Sequence, residues 1–313
     1  MGGADVVPGI SGGTIAFITG IYEELIDSLR LFVPENFKLL FLGKIKQFWH
    51  AVNGNFLLTV VLGIATSLIT LVKCVLYMLS THPVISWSFF FGLILVSTIY
   101  VLKKIKKATI PVFISFAIGT VLAFLITTMS AAQTPNELWF IFISGSIAIC
   151  AMILPGISGS FILLLLGKYQ YILTAISEFK ITILTVFAGG AVIGLLSFSH
   201  LLSWLLRKYH DVTVALLAGV MFGALNKVWP WKVQIDTANN KMWAWSMEKL
   251  NEHSLSIVEK SHLPQTFERI TGTDAHFIGG IAAALFAVVI FLTIETAGKK
   301  IGTKKKKLKH RRF

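Results

Sequence analysis

The feature of this sequence that most restricts its fold is a series of long apolar blocks. Each is about 18 to 25 residues long, enough for an α-helix to cross a hydrocarbon layer roughly 30 Å thick. Apolar residues make up 55% of the 313-residue chain and charged residues only 14%, so a water-soluble fold would lack polar surface. The sequence therefore predicts an all-α integral membrane protein with about six full transmembrane helices, at 55–79, 85–102, 109–128, 181–206, 212–229 and 276–296.

The chain also contains an internal repeat. Residues 4–22 align with residues 151–169 at a constant offset of 147, and nine of the nineteen positions are identical. The pentapeptide Pro-Gly-Ile-Ser-Gly recurs whole, and three apolar spans follow each copy. An odd number of crossings would place the second copy upside down relative to the first, as in many secondary transporters. We therefore expect an inverted-repeat transporter with a first repeat at 1–135, a second at 136–298 and a basic tail at 299–313.

The basic residues predict the orientation of the chain. There are 28 lysines and arginines against 15 acidic residues, and they cluster at 30–54, 103–107, 207–208 and in the tail. The predicted spans place all four clusters on one side, which the positive-inside rule makes cytoplasmic. The loop at 230–275 is then extracellular and the C-terminus cytoplasmic. Because the clusters flank apolar blocks, we interpret them as topology determinants and not as a nucleic-acid surface.

Each copy of the pentapeptide precedes an apolar stretch that is too short to cross the membrane. Residues 13–22 and 160–167 would cover about 12 to 15 Å as helices, half of the bilayer. We therefore predict two re-entrant hairpins whose tips are the PGISG segments. Proline ends the incoming leg, glycine permits a tight turn, and serine caps the outgoing helix. A kink with a packing contact is the alternative interpretation, because proline and glycine are frequent in membrane helices.

Such tips are suited to an anion. The first N–H groups of a helix have no partner within the helix, and the positive end of the helix dipole lies at the same place. Inverted duplication would bring two of these helix ends together near the middle of the membrane. The sequence therefore predicts a phosphate or carboxylate site there.

The segment MGGADVVPGISGGTIAFITGIYEELI at the start of the chain, and its weaker echo around PGISGS, resemble the bacterial polyprenyl-phosphate transporter family. The likeness runs along essentially the whole chain. It implies a flippase that returns undecaprenyl phosphate, the lipid carrier of cell-wall and surface glycans, from the outer to the inner leaflet of the bacterial cytoplasmic (inner) membrane. A multi-pass protein whose phosphate-binding tips open sideways to lipid fits that substrate.

The candidate site residues follow from the two tips and the ionisable groups beside them. We predict that the phosphate is bound by Gly9, Ser11, Gly12, Gly13, Thr14, Gly156, Ser158, Gly159, Ser160 and Lys168. Asp5 and Glu23 are candidates for a coupling proton, since ionisable groups within a membrane are costly unless they have a function.

Two other classes of membrane protein are alternatives to this interpretation. An ion-coupled secondary transporter of a soluble anion would use the same half-helices and stays open. A lipid phosphatase would need a convergent nucleophile and acid–base set, which the sequence lacks, so we expect no enzyme. Cys74 and Cys150 are isolated within apolar segments, so neither a cofactor nor a metal is expected. The expected partners are polyprenyl phosphate and membrane lipids; a homo-oligomer stays open. No cleavable signal peptide is expected.

Overall fold

A computed structural model describes residues 1–2, 11–129, 132, 134–236, 241–244 and 257–310. The predicted site residues Asp5 and Gly9 lie outside the described residues. The helices of the first half are α1 (Gly12–Ile18), α2 (Tyr22–Arg30), α3 (Pro34–Phe41), α4 (Ile45–Ala51), α5 (Gly54–Thr81), α6 (Pro83–Leu102) and α7 (Ile110–Thr128). The second half contains α8 (Leu138–Ile153), α9 (Gly159–Leu165), α10 (Tyr169–Ser177), α11 (Ile181–Lys208), α12 (His210–Ala224), β1 (Lys232–Asp236), β2 (Lys241–Ala244), β3 (Ile257–Ser261), α13 (Pro264–Thr271) and α14 (Phe277–His310).

Four helices of the described chain are long and apolar enough to cross a membrane, namely α5, α6, α7 and α11. They coincide with four of the six predicted spans. The other two predicted spans are shorter apolar helices: α12, of 15 residues, and the apolar part of α14 at Phe277–Thr293. The predicted helical, multi-pass membrane protein is thus confirmed, while the inverted arrangement of its halves stays a prediction.

The segment between α12 and α14 contains a small sheet that the sequence analysis did not predict. Strand β1 pairs antiparallel with both neighbours, in the order β2-β1-β3. Its residue Val233 lies opposite Ala244 on one side and Lys260 on the other. Trp231 anchors the sheet to the start of α14, because its Nε1 donates to the carbonyl oxygen of Ala275 at 2.9 Å. The described part of the predicted extracellular loop therefore contains a three-stranded sheet, in which β3 pairs with β1 across about twenty residues that the local pattern does not reveal.

The long helices pack in pairs at glycines. Helix α7 packs against α12, α8 against α11, and α6 against α14. A Cβ atom on Gly219 of α12 would collide with the carbonyl oxygen of Phe116 on α7, and one on Gly190 of α11 with that of Phe142 on α8. Lipid offers little hydrophobic drive for helix association, so such close backbone approach supplies the van der Waals contact that holds membrane helices together.

The two halves repeat the same local geometry. Gly20 and Gly167, which are 147 residues apart, follow α1 and α9 with φ of 75° and 62°. After each of the 28-residue helices α5 and α11, a single residue separates the helix from the next one. These residues, His82 and Tyr209, have nearly identical backbone angles, φ −133° and ψ 62° against φ −130° and ψ 51°. The recurrence supports the predicted duplication and makes α6 and α12 corresponding helices.

Polar contacts join segments that the charge pattern assigns to one side of the membrane. The Arg207 guanidinium lies 3.0 Å from a carboxylate oxygen of Asp27. The backbone N–H of Lys107 donates to the Asp211 carboxylate at 2.9 Å. These contacts bring the 103–107 and 207–208 clusters to the same end of the bundle as α2. The predicted topology likewise places these segments on one side of the membrane.

The glycine contacts lead to a first prediction. Changing Gly190 to alanine should force α8 and α11 apart and lower the free energy of unfolding by about 1 to 3 kcal/mol. Its neighbour Gly189 provides the matched control, because a Cβ there would meet only a ring carbon of Phe142 at 3.8 Å. Gly189→Ala should be neutral or stabilising by up to about 1 kcal/mol, since alanine favours the helix. Thermal unfolding in detergent measures both, and equal losses would show that close approach at Gly190 is not what holds the pair.

Candidate functional site

The two short helices α1 and α9 begin within the two copies of the repeated pentapeptide. Each is seven residues long and starts at the pentapeptide's final glycine. We call residues 11–14 the first tip and residues 155–160 the second tip. Helix α9 is followed by α10 at an angle of 107°, so this part of the chain is either a broken span or a re-entrant loop. The two half-length helices lie where the sequence predicts them.

The structure brings the two tips together. The backbone N–H of Gly156 donates to Oγ1 of Thr14 at 2.9 Å, across 142 residues of sequence. Oγ of Ser11 donates to the carbonyl oxygen of Met152 at 2.9 Å, at the end of the leg that leads into the second tip. The first tip also approaches the backbone of this leg at Gly13. A Cβ atom added to Gly13 would lie only 2.5 Å from the Ile153 carbonyl oxygen. Sequence reasoning predicted this meeting; these contacts define it atom by atom.

The hydroxyl groups of the first tip are already hydrogen-bonded within the protein. Ser11 caps α1, as predicted, because its Oγ accepts from the N–H of Gly13 at 3.0 Å. Ser11 and Thr14 are both fully buried. Their hydroxyl groups are therefore already engaged with the protein in this conformation, and a phosphate would have to replace those contacts.

The second tip differs, and one sequence prediction is wrong there. Ser158 lies at the N-cap position of α9, but within the described chain its side chain makes no capping hydrogen bond. Its Oγ instead lies 2.7 Å from Oγ of Ser160. Ser158 is buried, whereas Gly159 and Ser160 are partly exposed. The backbone angles of Ser158 (φ −97°, ψ 136°) are close to those of Ser11 (φ −111°, ψ 137°), so the difference lies in the side chains: the second copy has a hydroxyl group at Ser160 where the first has Gly13. The second tip therefore presents a pair of hydroxyl groups beside an uncapped helix start.

Tyr22, in the repeated segment, contacts the leg that leads into the second tip. It is buried, and its hydroxyl donates to the carbonyl oxygen of Ile153 at 3.2 Å. Its ring packs on Phe17 with 4.6 Å between the centroids. Tyr22 therefore fastens the end of the second incoming leg to the first half. The only feature of the sequence that pointed to Tyr22 was its position in the repeated segment, where it aligns with Tyr169.

Lys168 lies at the far end of α9 from Ser158. Its Nζ donates to the carbonyl oxygen of Thr134 at 2.8 Å and to Oδ1 of Asn136 at 2.7 Å. The side chain is fully buried. The ammonium group thus fixes the connection between α7 and α8, and the structure does not bring it to the tips. Its predicted role with phosphate stays untested.

Glu23 lies on α2, past the end of the first half-helix. Its carboxylate is 3.6 Å from Nε2 of His210 and its side chain is 59% exposed. It is therefore at the end of the bundle that carries the basic clusters, not at the tips. Among the described residues, no group of three or more histidine, cysteine or acidic side chains could hold a metal ion.

The described chain is thus a mostly helical, multi-pass membrane protein in which the two copies of the repeated segment meet. The model of the undecaprenyl phosphate translocase-like family matches residues 1–245, and the chain belongs to that family. A polyprenyl-phosphate transporter of Vibrio cholerae is 43% identical over 300 residues, which cover 96% of this chain and 94% of that protein. A polyprenyl-phosphate transporter of Staphylococcus aureus is 32% identical over 248 residues, 74% of this chain and 83% of that protein. No solved structure matches the chain.

These comparisons confirm the family resemblance that the tip sequence indicated. They also confirm that the protein is a transporter and not an enzyme, since the family and both relatives are named for transport.

The contact between the tips gives a second prediction. Changing Thr14 to valine keeps the shape of the side chain but leaves the buried N–H of Gly156 without its acceptor. The free energy of unfolding should fall by about 1 to 3 kcal/mol. Thr14→Ser keeps the hydroxyl and should cost about 1 kcal/mol for the lost methyl group. Chemical or thermal unfolding in detergent compares the two; a serine variant less stable than the valine variant would contradict the role of this hydrogen bond.

Proposed function

We propose that this protein carries polyprenyl phosphate across the bacterial cytoplasmic membrane, from the outer to the inner leaflet, for reuse in glycan synthesis. The observation that carries the proposal is the direct contact of the two tips, Thr14 with Gly156 and Ser11 with Met152. A phosphate headgroup needs hydrogen-bond donors at membrane depth, and two broken helices can supply them without several buried cations. The polyprenyl tail can stay in lipid while the headgroup passes the tips.

The second tip is the part of the site most ready to accept a phosphate. Ser158 and Ser160 together carry two hydroxyl groups 2.7 Å apart, and no serine caps the adjacent helix start in the described chain. The first N–H groups of α9 are beyond the reach of the helix's own carbonyls. A phosphate monoester offers three acceptor oxygens, so it can bind hydroxyl and backbone donors at once.

The first tip would take part only after a conformational change. Ser11 and Thr14 are buried; Ser11 donates to Met152 of the second half, and Thr14 accepts from Gly156, so their hydroxyl groups become accessible to a ligand only when the halves separate. We therefore assign this conformation to a state in which the two tips are closed on each other. In the proposed cycle the phosphate binds first to the second tip, and opening transfers it to the set that includes Gly12, Gly13 and Thr14. Asp5 and Glu23 remain the proposed proton carriers for coupling.

The proposed site gives a third prediction. Replacing Ser158 and Ser160 together with alanine should weaken binding of a short-chain polyprenyl phosphate about tenfold or more, since each hydrogen bond to a charged group contributes about 1.5 to 3 kcal/mol. Binding of the corresponding neutral alcohol should change little. Binding is measured in detergent, and transport in liposomes with a leaflet-resolved assay.

Ser144→Ala is the matched control, because Ser144 is a buried serine of α8 whose hydroxyl bonds only within its own helix, to the carbonyl oxygen of Phe140. Equal losses for the phosphate and the alcohol would show that the two tip serines do not recognise the phosphate. Inorganic phosphate as the transported species, with no movement of the lipid, would favour the soluble-anion transporter instead.

The proposed orientation gives a fourth prediction. After replacement of Cys74 and Cys150, single cysteines at Lys106 and Lys241 should be labelled from opposite sides of the membrane by an impermeant thiol reagent. Lys106 should react from the cytoplasm together with the C-terminus, and Lys241 from outside. Labelling of both positions from one side would refute the proposed topology.

A further inference from the structure

The two halves carry a matched pair of lysines that no part of the tip site uses. Lys104 comes two residues after α6, and Lys227 three residues after α12, the corresponding helix of the second half. Lys104 Nζ lies 5.2 Å from the ring centroid of Phe17 on α1. Lys227 Nζ lies 4.5 Å from that of Phe161 on α9. In each half a cation therefore sits over an aromatic ring of the short helix that begins at the tip.

The two lysines lie at opposite ends of the bundle. Lys104 is in the turn that leads to Lys107, whose N–H is bonded to Asp211 at the end rich in basic clusters. Lys227 follows Asn226, whose amide donates to Oγ1 of Thr127 at the other end of α7 and whose Oδ1 accepts from Ser261 of the sheet. One lysine thus lies at each end of the bundle, and we call these two ends the mouths.

At the sheet end two lysines share one carboxylate. Lys227 Nζ and Lys232 Nζ both bind the same carboxylate oxygen of Glu259, at 2.8 and 3.1 Å. All three side chains are shielded, since only 13% of Lys227, 4% of Lys232 and 11% of Glu259 is exposed. Burial lowers the pKa of Lys232 to about 8. Burial alone would raise the pKa of Glu259, but the two lysines outweigh it and hold that pKa well below its usual range. Lys227 is therefore held in a shielded ion cluster in which it shares its carboxylate partner with a second lysine.

At the opposite end the arrangement recurs in a weaker form. Burial lowers the pKa of Lys104, and the charge of Glu23 on α2 partly offsets that effect. Each lysine therefore has an acidic neighbour and an aromatic ring from a tip helix. A cation over an aromatic face stays attracted to it when its anionic partner leaves. A lysine held in this way can exchange a carboxylate for another anion without losing its position.

From this juxtaposition we propose that Lys227 and Lys104 are headgroup stations, one at each face, where the ammonium group over the ring of a tip helix binds the phosphate monoester before and after it passes the tips, at Lys227 in place of the Glu259 carboxylate. The inference rests on the proposed function, because it assigns the entry and exit of the same substrate. It places the charged contacts at the mouths and leaves only hydroxyl and backbone donors at the tips.

The experiment is a transport assay in proteoliposomes of defined orientation, with a short-chain polyprenyl phosphate offered from either face. Lys227→Met should raise KM about tenfold when substrate is offered from the sheet face, with kcat nearly unchanged, and should leave KM from the opposite face unaltered. Lys104→Met should give the mirror image. Lys227→Arg, which keeps a positive charge that can lie over the ring, should restore most of the affinity that Lys227→Met loses from the sheet face.

Lys208→Met is the matched control. Lys208 Nζ also lies over aromatic rings, 5.3 Å from Trp204 and 5.4 Å from Tyr209, but neither ring belongs to a tip helix. It should change KM from neither face. Phe161→Leu serves as a second test if Lys227→Met folds poorly: it leaves the ion cluster intact, loosens the lysine, and should raise KM about threefold from the sheet face only.

The outcomes separate this inference from the proposed function. Normal KM from both faces in the lysine variants, with transport still lost in the Ser158/Ser160 double variant, would overturn the stations and leave the proposed function standing. An equal rise from both faces with a lowered melting temperature would show a structural ion cluster and overturn the stations as well. Competition by inorganic phosphate as strong as by the lipid would show that the lysines bind a soluble anion instead. Absence of any lipid movement by the unchanged protein would refute the proposed function itself.

Discussion

The hydrogen bond from the Gly156 N–H to the Thr14 hydroxyl, and its neighbour from Ser11 to Met152, are the contacts on which the arrangement of this protein depends. Each joins one copy of the repeated segment to the other across more than a hundred residues. In a hydrocarbon environment a backbone polar group without a partner costs several kcal/mol, so a chain that breaks its helices at two tips must satisfy them there. The two tips do so largely by bonding to each other. A site for an anion is then the place where these mutual bonds can be exchanged for bonds to a ligand.

The helix pairs around the tips explain how such an exchange could be transmitted. Helix α7 of the first half packs on α12 of the second, and α14 of the second packs on α6 of the first. Each pair therefore contains one helix from each half, and close contacts at glycines bring the two helices of each pair together. Because α12 also passes directly against Gly156, any movement of this pair alters the turn at the second tip. Packed helices tend to move as rigid units, which links opening at one end to the tips in the middle.

The distribution of charge is compatible with the proposed passage of a lipid headgroup. The described residues of the two tips carry hydroxyl and backbone groups but no ionised side chain, while paired cations and carboxylates gather at the ends of the bundle. A cation held permanently at the centre would be costly and would bind a phosphate too firmly to release it. Neutral donors at depth with cations near the interface avoid both difficulties.

Particular residues show where sequence reasoning succeeds. The apolar blocks determine α5, α6, α7 and α11 within a few residues, since a span of that length and composition has no stable alternative to a membrane helix. The repeated pentapeptide places the starts of α1 and α9, because proline, glycine and serine restrict the backbone locally. It also marks Ser11, Thr14 and Gly156, which do meet, and it carries the family resemblance that the relatives confirm.

The sequence did not reveal which individual polar groups of distant segments contact each other. The capping by Ser11 and the different bonding of Ser158 come from one identical pentapeptide, because the partner of each serine depends on the groups around it: Ser160 offers a hydroxyl group where the first copy has Gly13. Lys168 follows a tip helix in sequence, yet it bonds to Thr134 and Asn136, while Lys227, far along the chain, reaches the tip helix instead. The sheet that holds Glu259 depends on strand pairing that no local pattern encodes. The sequence by itself determined which segments enter the membrane and where the helices break, because those follow from burial and backbone freedom of neighbouring residues. Which polar groups find each other was decided by tertiary structure, because a hydrogen bond depends on positions in space that only the packed helices define.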